Sequence, residues 1–418
     1  MMGDGFFIQS TNNGDKENPK KTNGKKKKKK RGGSKKKMTI EETKAYKSVS
    51  EWVFLGSDAS SVAVDNDFGV LMTRSKFSEK LMFELHSHSK CSDGFLTPSK
   101  LVERAHQIGV RVLALTDHDT MSGIPEALEA ACRFGIKIIP GVEISTIFFP
   151  RGEPGSEEPV HILAYYSSCG PTRFEKLEKF LANIRLLGNG VAPGRLHVSR
   201  ALVEAGHVEN LKQAFARYLY DGGPAYSTGC EPVAEEVVQL ICETGEVTEN
   251  WQASIILKSE RKLDFEVIAR IMTCRLTDRA YSELADDYNL VKLGGSDYHG
   301  RGGQDESALG SVSLPVLAVH EFLKVARPIW CRAIRDILEN YSDDPSELNL
   351  DRIMRFGKTR ILKGSSPFSY CNDLIDLCLS SWLTSEERQN AEFEAIKLKL
   401  SRISINQGEI QAQVNSII

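Results

Sequence analysis

Five short polar clusters, each following a run of apolar residues, constrain the fold of this chain more than any other feature. They carry the imidazole and carboxylate groups that divalent metals bind. The clusters are His86-Ser-His88 with Asp93, Thr116-Asp-His118-Asp119, Gly-Val-Glu143, Val-His161 and Ser-Asp297-Tyr-His299. If each cluster ends a strand of one sheet, the side chains meet at a single edge. The pattern therefore predicts a polynuclear metal site on an α/β fold.

Strand and helix patterns alternate along this part of the chain. A helix is expected to begin at Thr97 and Pro98 and to end before Gly109, and another runs from Pro125 to Phe134. A further helix is expected over 233–242, and strands over 81–85, 110–115, 136–139, 160–166 and 291–293. This alternation predicts a parallel α/β sheet, closed or open.

The charge distribution separates an N-terminal tail from the body. Residues 1–47 hold 15 Lys and Arg against 5 Asp and Glu, whereas the remaining residues hold 39 against 51. So lysine-rich a segment buries too little apolar surface to order itself, and we expect 1–47 to be disordered. Such a tail serves as a nuclear import signal, as an electrostatic contact with nucleic acid, or simply as a solvated tail.

The remaining chain, within 418 residues of which 41% are hydrophobic, is long enough for one large core. The pattern predicts a small helical insertion at 172–231 and a helical extension at 341–418. In that extension Thr384 and Glu387 form a capping box, and Phe393, Ile396, Leu400 and Ile403 follow at helical spacing. We expect this helix to dock on the body, with partner binding as the alternative.

Several classes of protein are not expected. No apolar stretch reaches the length of a membrane span, and the first ten residues lack the layout of a secretion signal. The nine cysteines include no C-x-x-C pair, which favours reduced thiols over disulfides or a zinc site. We therefore expect an intracellular protein of the nucleus or cytoplasm.

The clusters carry a family resemblance in the segments LHSHSKCSDG (85–94), ALTDHDT (114–120), PGVEIS (140–145), VHILAYY (160–166) and GGSDYHG (294–300). On these the chain resembles the PHP (polymerase and histidinol phosphatase) superfamily over about residues 80–330. Within it, the likeness is to the branch of 3′,5′-nucleoside bisphosphate phosphatases and 5′-to-3′ exoribonucleases. The resemblance implies a distorted (β/α)7 barrel, split into 78–171 and 232–340 by the insertion. It also implies hydrolysis of a phosphoester of a nucleotide or short RNA by a metal-activated water, with no protein nucleophile.

The resemblance further implies two or three divalent ions, with manganese first and iron, zinc or magnesium as alternatives. One ion is held by His86, His88, Glu143 and Asp297, a second by Glu143 and His161, and a third by Asp93, His118 and His299. The insertion motif implies that Arg195 and His197 contact a substrate phosphate, with a structural role as the alternative. Asp117 is expected either to orient His118 or merely to end its strand.

The chain departs from the family pattern at one ligand. The family places an Ala-His-Pro ligand after the segment that corresponds to 242–245, but this chain reads Glu-Val-Thr-Glu-Asn-Trp over 246–251. No histidine occurs between His207 and His299, and 246–279 is atypical throughout. The missing ligand is expected to weaken the binding of the second metal ion. It leaves open a catalytically impaired member that binds nucleic acid or a partner, and a histidinol phosphatase, against which the insertion argues.

Overall fold

The structure is a computed structural model that describes residues 38–55, 81–148, 158–187, 202–203, 205–219, 232–245, 271–272, 293–302, 306–356 and 379–402. The expectations for 1–37, for Arg195 and His197 and for most of 246–279 lie outside these ranges. So do residues 291–292 of the strand expected at 291–293.

Five strands form one mixed sheet in the order in which they occur along the chain. They are β1 (Met82–Glu84), β2 (Val110–Leu115), β3 (Lys137–Phe148), β4 (Glu158–Tyr165) and β5 (Ile271–Met272). Strand β2 pairs in parallel with β1 and β3, whereas β4 pairs antiparallel with β3 and β5. The fold is therefore mixed α/β, and the prediction of a purely parallel sheet is wrong.

The length of β3 explains the change of direction. This strand was expected to end at Ile139, but it continues through Pro140 to Phe148. Only nine residues separate Phe148 from Glu158. A parallel return needs a crossover of about a dozen residues or more, so a connection of this length favours an antiparallel neighbour.

The first two helices after β1 have the ends that the sequence predicts. Helix α2 (Pro98–Gln107) begins after Thr97, whose side chain accepts a hydrogen bond from the backbone N–H of Lys100. Helix α3 (Ile124–Phe134) ends at Gly135, which has the left-handed φ of 68°. Because a residue without a Cβ adopts this conformation at little cost, glycine stops the helix cleanly here.

An N-terminal helix begins within the segment that was expected to be disordered. Helix α1 covers Ile40–Val53, and Thr39 and Glu42 form a complete capping box at its start. Tyr46, Val49 and Trp52 are buried on one face of it. The prediction of disorder is therefore wrong for residues 40–47. The prediction followed the lysine-rich composition upstream and overlooked a short amphipathic stripe. Burial of this stripe offsets the loss of conformational entropy on ordering.

Of the remaining described helices, four complete two apolar layers around the sheet, one contributes Ala214 to a separate small cluster with Val208 and Leu219, and one has no buried residue. They are α4 (Phe174–Leu187), α5 (Leu211–Arg217), α6 (Ala234–Gly245), α7 (Val316–Asp343), α8 (Glu347–Phe356) and α9 (Ser385–Arg388), with further helical residues at 379–382 and 391–402. One core contains residues of α2, α3, α4 and α6. The other contains residues of α1, α7 and the segment 379–402. Among the described helices, none is both long enough and apolar enough to cross a bilayer.

A tryptophan cluster joins the N-terminal and C-terminal segments to the sheet. The rings of Trp52, Trp330 and Trp382 lie with centroids 5.0–5.9 Å apart. Lys137 of β3 lies with its Nζ 4.5 Å from the ring centroid of Trp52 and donates a hydrogen bond to the carbonyl oxygen of Ser381. The helix at 391–402 packs into the same layer through Phe393, Ile396 and Leu400, which are buried. The expected capping box at Thr384 and Glu387 is present.

Candidate metal centre

The segments that follow β1 and β2 lie beside β3 and the segment 293–302, and together with His161 of β4 they carry the site. Isolated bridges pair Ser87 with Tyr298 and His118 with Glu143. The backbone N–H of Thr116 donates to the carbonyl oxygen of Ser87 at 3.0 Å. These contacts bring together all eight expected ligands, which are His86, His88, Asp93, His118, Glu143, His161, Asp297 and His299.

The eight side chains form three overlapping groups in which the ligand atoms lie within 4.8 Å of one another. The His86 group consists of His86, His88, Glu143 and Asp297; the His299 group consists of His88, Asp93, His118 and His299; and the His161 group consists of His118, Glu143 and His161. Nitrogen and carboxylate donors in sets of three and four suit divalent cations.

The His86 group is the most compact of the three. Glu143 Oε2 lies 2.8 Å from His86 Nε2 and 2.9 Å from His88 Nε2, and these two nitrogens are 2.9 Å apart. Asp297 Oδ1 lies 3.3 Å and 3.2 Å from the same two nitrogens. Two facing nitrogens cannot both carry a proton at this distance, and carboxylates only accept. A shared cation satisfies all four lone pairs, so the group fits a metal ion.

The Glu143 carboxylate connects this group to the next. Its Oε2 faces His86 and His88, whereas its Oε1 lies 2.8 Å from His161 Nδ1. The side chain of Glu143 is 2% exposed, and that of His161 is 41% exposed. One oxygen per group is the arrangement by which a carboxylate bridges two cations.

The His299 group contains buried polar atoms that lack partners. Among the described residues, His88 Nδ1, Asp93 Oδ1 and His118 Nδ1 have no hydrogen-bond partner. Asp93 Oδ2, in contrast, lies 3.0 Å from His299 Nε2. A buried polar atom without a partner is costly and usually indicates an absent water or ion. Three such atoms in one group of four residues therefore support a cation between them.

Burial and neighbouring charges set the protonation states of the site. Burial lowers the pKa of His118 to about 4, so its imidazole is neutral near pH 7. Burial alone would raise the pKa of Glu143, but His86, His118 and His161 hold that pKa well below its usual range. Burial alone would lower the pKa values of His88 and His161, but Asp297 and Glu143 raise the first and Glu143 raises the second. The anionic carboxylate and the neutral His118 imidazole are the ligand forms that metals bind, and His88 and His161 would lose a proton on binding one.

Glu84 positions the loop that carries Asp297. This fully buried carboxylate accepts hydrogen bonds from the backbone N–H of His86, of Ser296 and of Gly310, and from Ser296 Oγ at 2.6 Å. Asp297 itself has a φ of 53°, a left-handed conformation that costs a non-glycine residue of order 1–3 kcal/mol. Sequence reasoning missed Glu84, although an acidic residue within an apolar strand indicates a buried charge with partners.

Asp117 holds a different loop. Its carboxylate accepts hydrogen bonds from the N–H of Ser89 at 2.6 Å and from the hydroxyls of Ser89 and Ser92 at 2.7 Å each. It does not orient His118, because His118 Nδ1 has no partner among the described residues. Asp117 also does more than end its strand, so both expected roles are replaced by that of a loop anchor beside Asp93.

This chain is similar in sequence to known proteins. The family model for the PHP domain matches residues 84–282. A 5′-3′ exoribonuclease of Haemophilus influenzae is 41% identical over 160 residues, which cover 34% of this chain and 58% of that protein. A 3′,5′-nucleoside bisphosphate phosphatase of Chromobacterium violaceum is 29% identical over 280 residues, or 59% of this chain and 94% of that protein.

A third relative is similar over nearly its whole length. It is a phosphoribosyl 1,2-cyclic phosphate 1,2-diphosphodiesterase of Eggerthella lenta, 30% identical over 258 residues, which cover 53% of this chain and 95% of that protein. The three relatives carry the names of enzymes that cleave phosphoester bonds in different substrates.

Proposed function

This chain belongs to the PHP-domain family, and on that premise we propose that it is a metal-dependent phosphoesterase acting on a phosphoester of a nucleotide or short RNA. The names of the bisphosphate phosphatase and exoribonuclease relatives support this substrate class. The strands described here belong, in this proposal, to a distorted (β/α)7 barrel interrupted by the insertion at 172–231.

The observation that carries the proposal is the position of Glu143 between two donor groups. Its Oε2 contacts His86 and His88, and its Oε1 contacts His161. Clusters of neighbouring cations hold and polarise the oxygens of a phosphoester. We assign one cation to the His86 group, one to the His161 group and one to the His299 group, with manganese first and iron, zinc or magnesium as alternatives.

The exposure of the side chains indicates how substrate reaches the site. His86, His88 and Glu143 are almost completely buried, whereas Asp297 is 46% and His161 is 41% exposed. The site therefore opens to solvent on the side of Asp297 and His161. Bound divalent cations supply Lewis acidity and a more acidic water for attack at phosphorus. The buried residues fix the geometry, and the exposed residues border the entrance.

The test combines metal analysis with hydrolysis. The purified full chain is analysed by inductively coupled plasma mass spectrometry and then incubated with Mn²⁺ and adenosine 3′,5′-bisphosphate, a short 5′-phosphorylated RNA, a cyclic phosphodiester or histidinol phosphate. At least two bound ions and release of phosphate or nucleotide from either of the first two are expected. Fewer ions together with no product from any substrate would reject a phosphoesterase function.

A specific observation favours a second candidate, an impaired enzyme that binds nucleic acid. The His161 group offers three donors among the described residues, and no Ala-His-Pro segment occurs in the chain. RNA affinity that falls steeply with salt and disappears on deletion of residues 1–37 would support it. The deletion stops at residue 37 because α1 supplies buried residues to the core. Equal RNA binding by the truncated chain would exclude a role for the tail.

A further inference from the structure

Arg301 is a partly exposed residue whose guanidinium contacts a candidate metal ligand. Its NH2 nitrogen lies 3.2 Å from Asp93 Oδ2, the same oxygen that lies 3.0 Å from His299 Nε2. The Asp93 side chain is 10% exposed, whereas that of Arg301 is 43% exposed. Arg301 therefore contacts the buried His299 group on one side and remains accessible to solvent on the other.

The carboxylate of Glu306 holds the backbone around Arg301. Glu306 accepts hydrogen bonds from the N–H groups of His299 at 2.8 Å, Gly300 at 2.6 Å and Gly302 at 2.8 Å. Gly300 and Gly302 have φ values of 77° and 71°, which other residues rarely adopt. The turn that presents Arg301 is thus fixed on both sides of the residue. A preorganised side chain loses less entropy when it binds a ligand.

The chemistry of a guanidinium suits the ligand class of this site. Arginine carries five N–H donors in a planar fork that matches two oxygens of a phosphate. One contact to Asp93 leaves further donors for a second partner. The carboxylate that Arg301 contacts belongs to the His299 group, so a phosphate approaching there would be attracted both by a cation held in that group and by this cationic side chain.

We propose that Arg301 binds a non-bridging oxygen of the substrate phosphate beside the His299 group, and so sets the affinity of the site for phosphate. This inference rests on the proposed phosphoesterase function. It makes Arg301 a substrate-binding residue that is distinct from the metal ligands. Asp93 Oδ1 has no hydrogen-bond partner among the described residues and lies 3.6 Å from His88 Nδ1, so it remains available to a cation while Oδ2 contacts Arg301.

The experiment compares full-length wild type with Arg301→Ala, Arg301→Lys and the control Arg402→Ala, an exposed arginine in the C-terminal helix. Each protein is loaded with Mn²⁺, and its metal content is measured. Hydrolysis of adenosine 3′,5′-bisphosphate gives kcat and KM, and calorimetric titration with inorganic phosphate gives Kd. For Arg301→Ala we expect KM and Kd to rise about 10- to 100-fold, the range for loss of a charged hydrogen bond, with kcat and metal content nearly unchanged. Arg301→Lys should recover part of the affinity, and Arg402→Ala should match wild type.

Two results would overturn the inference. Unchanged KM and Kd in Arg301→Ala would show that no phosphate contact is made, and loss of metal would show that Arg301 only supports Asp93. The phosphate titration separates the inference from the proposed function. If wild type hydrolyses nothing but binds phosphate in an Arg301-dependent manner, the phosphate contact stands and the phosphoesterase function fails. If wild type hydrolyses the substrate and Arg301→Ala does so with the same KM, only the inference fails.

Discussion

The two oxygens of Glu143 face donor groups that differ in depth and in number of ligands. On the Oε2 side, three further donor residues surround the cation position, and His86 and His88 are 1% and 0% exposed. On the Oε1 side, among the residues that the structure describes, the near donor is His161, which is 41% exposed, while His118 Nε2 lies 3.6 Å from Oε2. Because electrostatic attraction is stronger away from water, the His86 group should bind its cation more tightly than the His161 group.

The sequence explains part of this difference. The resemblance places an Ala-His-Pro ligand beside the second cation, and this chain has Glu-Val-Thr-Glu at 246–249 instead. The His86 group and the His161 group, which we call the two halves of the site, both contain Glu143. Of these two, only the His86 half has four protein donors among the described residues. Substitutions that act on both halves, on one half or on their supports measure how far the halves are independent.

Glu143→Gln should have the largest effect because it removes the negative charge of the carboxylate whose oxygens contact both donor groups. We expect activity to fall by more than about 100-fold, beyond the 10- to 100-fold effect of a residue that only supports a ligand. Metal content should fall in both groups. Mass spectrometry of the metal and steady-state kinetics check this, with the exposed Glu178→Gln as the control. Retention of both ions would show that Glu143 does not bridge.

Asp297→Asn should affect the His86 half alone. Asparagine tolerates the left-handed φ of 53° as well as aspartate does, so the backbone is preserved and only the charge and one donor are changed. We expect a loss of activity of about 100-fold, at the upper end of the range for residues around a metal. A titration of activity against Mn²⁺ should show weaker binding of the tightest ion. An unaltered tightest ion would place Asp297 outside the ligand set.

His161→Ala should affect the exposed half, and its loss of activity should be partly reversible. We expect activity to fall about 10- to 100-fold, and added imidazole to restore part of it because the vacated position is open to solvent. The matched variant is His86→Ala, whose buried site excludes imidazole. Activity of both variants is measured with and without imidazole at saturating Mn²⁺. Equal rescue of the two would contradict the difference in depth.

Glu84→Gln should have the smallest effect on activity, about tenfold, because Glu84 contacts the backbone of His86 and the loop that carries Asp297 but no candidate ligand side chain. An amide accepts fewer hydrogen bonds than a carboxylate, so the free energy of unfolding should also fall by about 1–3 kcal/mol. Urea unfolding and Mn²⁺ titration measure the two effects. The response of His161→Ala to imidazole should be the same in the Glu84→Gln background, and a changed response would show that the halves are coupled.

Local sequence signals predicted the elements whose ends are set locally. Thr97 and Gly135 mark helix ends through hydrogen bonds and dihedral angles of nearby residues, and both predictions are confirmed. A strand was expected over 136–139, but β3 continues through Pro140 and Gly141. A Cβ at Gly141 would lie 2.9 Å from Thr116 Cγ2 and 3.1 Å from the carbonyl oxygen of Ala164. The glycine serves close packing across the sheet, which no local pattern reveals.

The site, too, combines features that local sequence predicts with features that depend on residues distant in sequence. The ligand-bearing clusters were visible because imidazole and carboxylate residues recur after apolar runs. The residues that hold these clusters in place could not be identified as such from the sequence. Glu84, Asp117 and Glu306 act on loops distant in sequence or through backbone N–H groups. Every residue other than proline carries a backbone N–H, so the sequence can indicate that an acidic residue such as Glu84 is buried but not which N–H groups it binds.

The sequence by itself determined the chemical character of this protein, namely a set of imidazoles and carboxylates at strand ends in a PHP-family chain. The tertiary structure alone decided that one carboxylate faces two donor groups, that one group is buried and the other exposed, and that Arg301 reaches Asp93. The physical reason is that donor chemistry belongs to single residues, whereas distance, burial and sharing of a ligand arise only when segments 18 to 208 residues apart pack together.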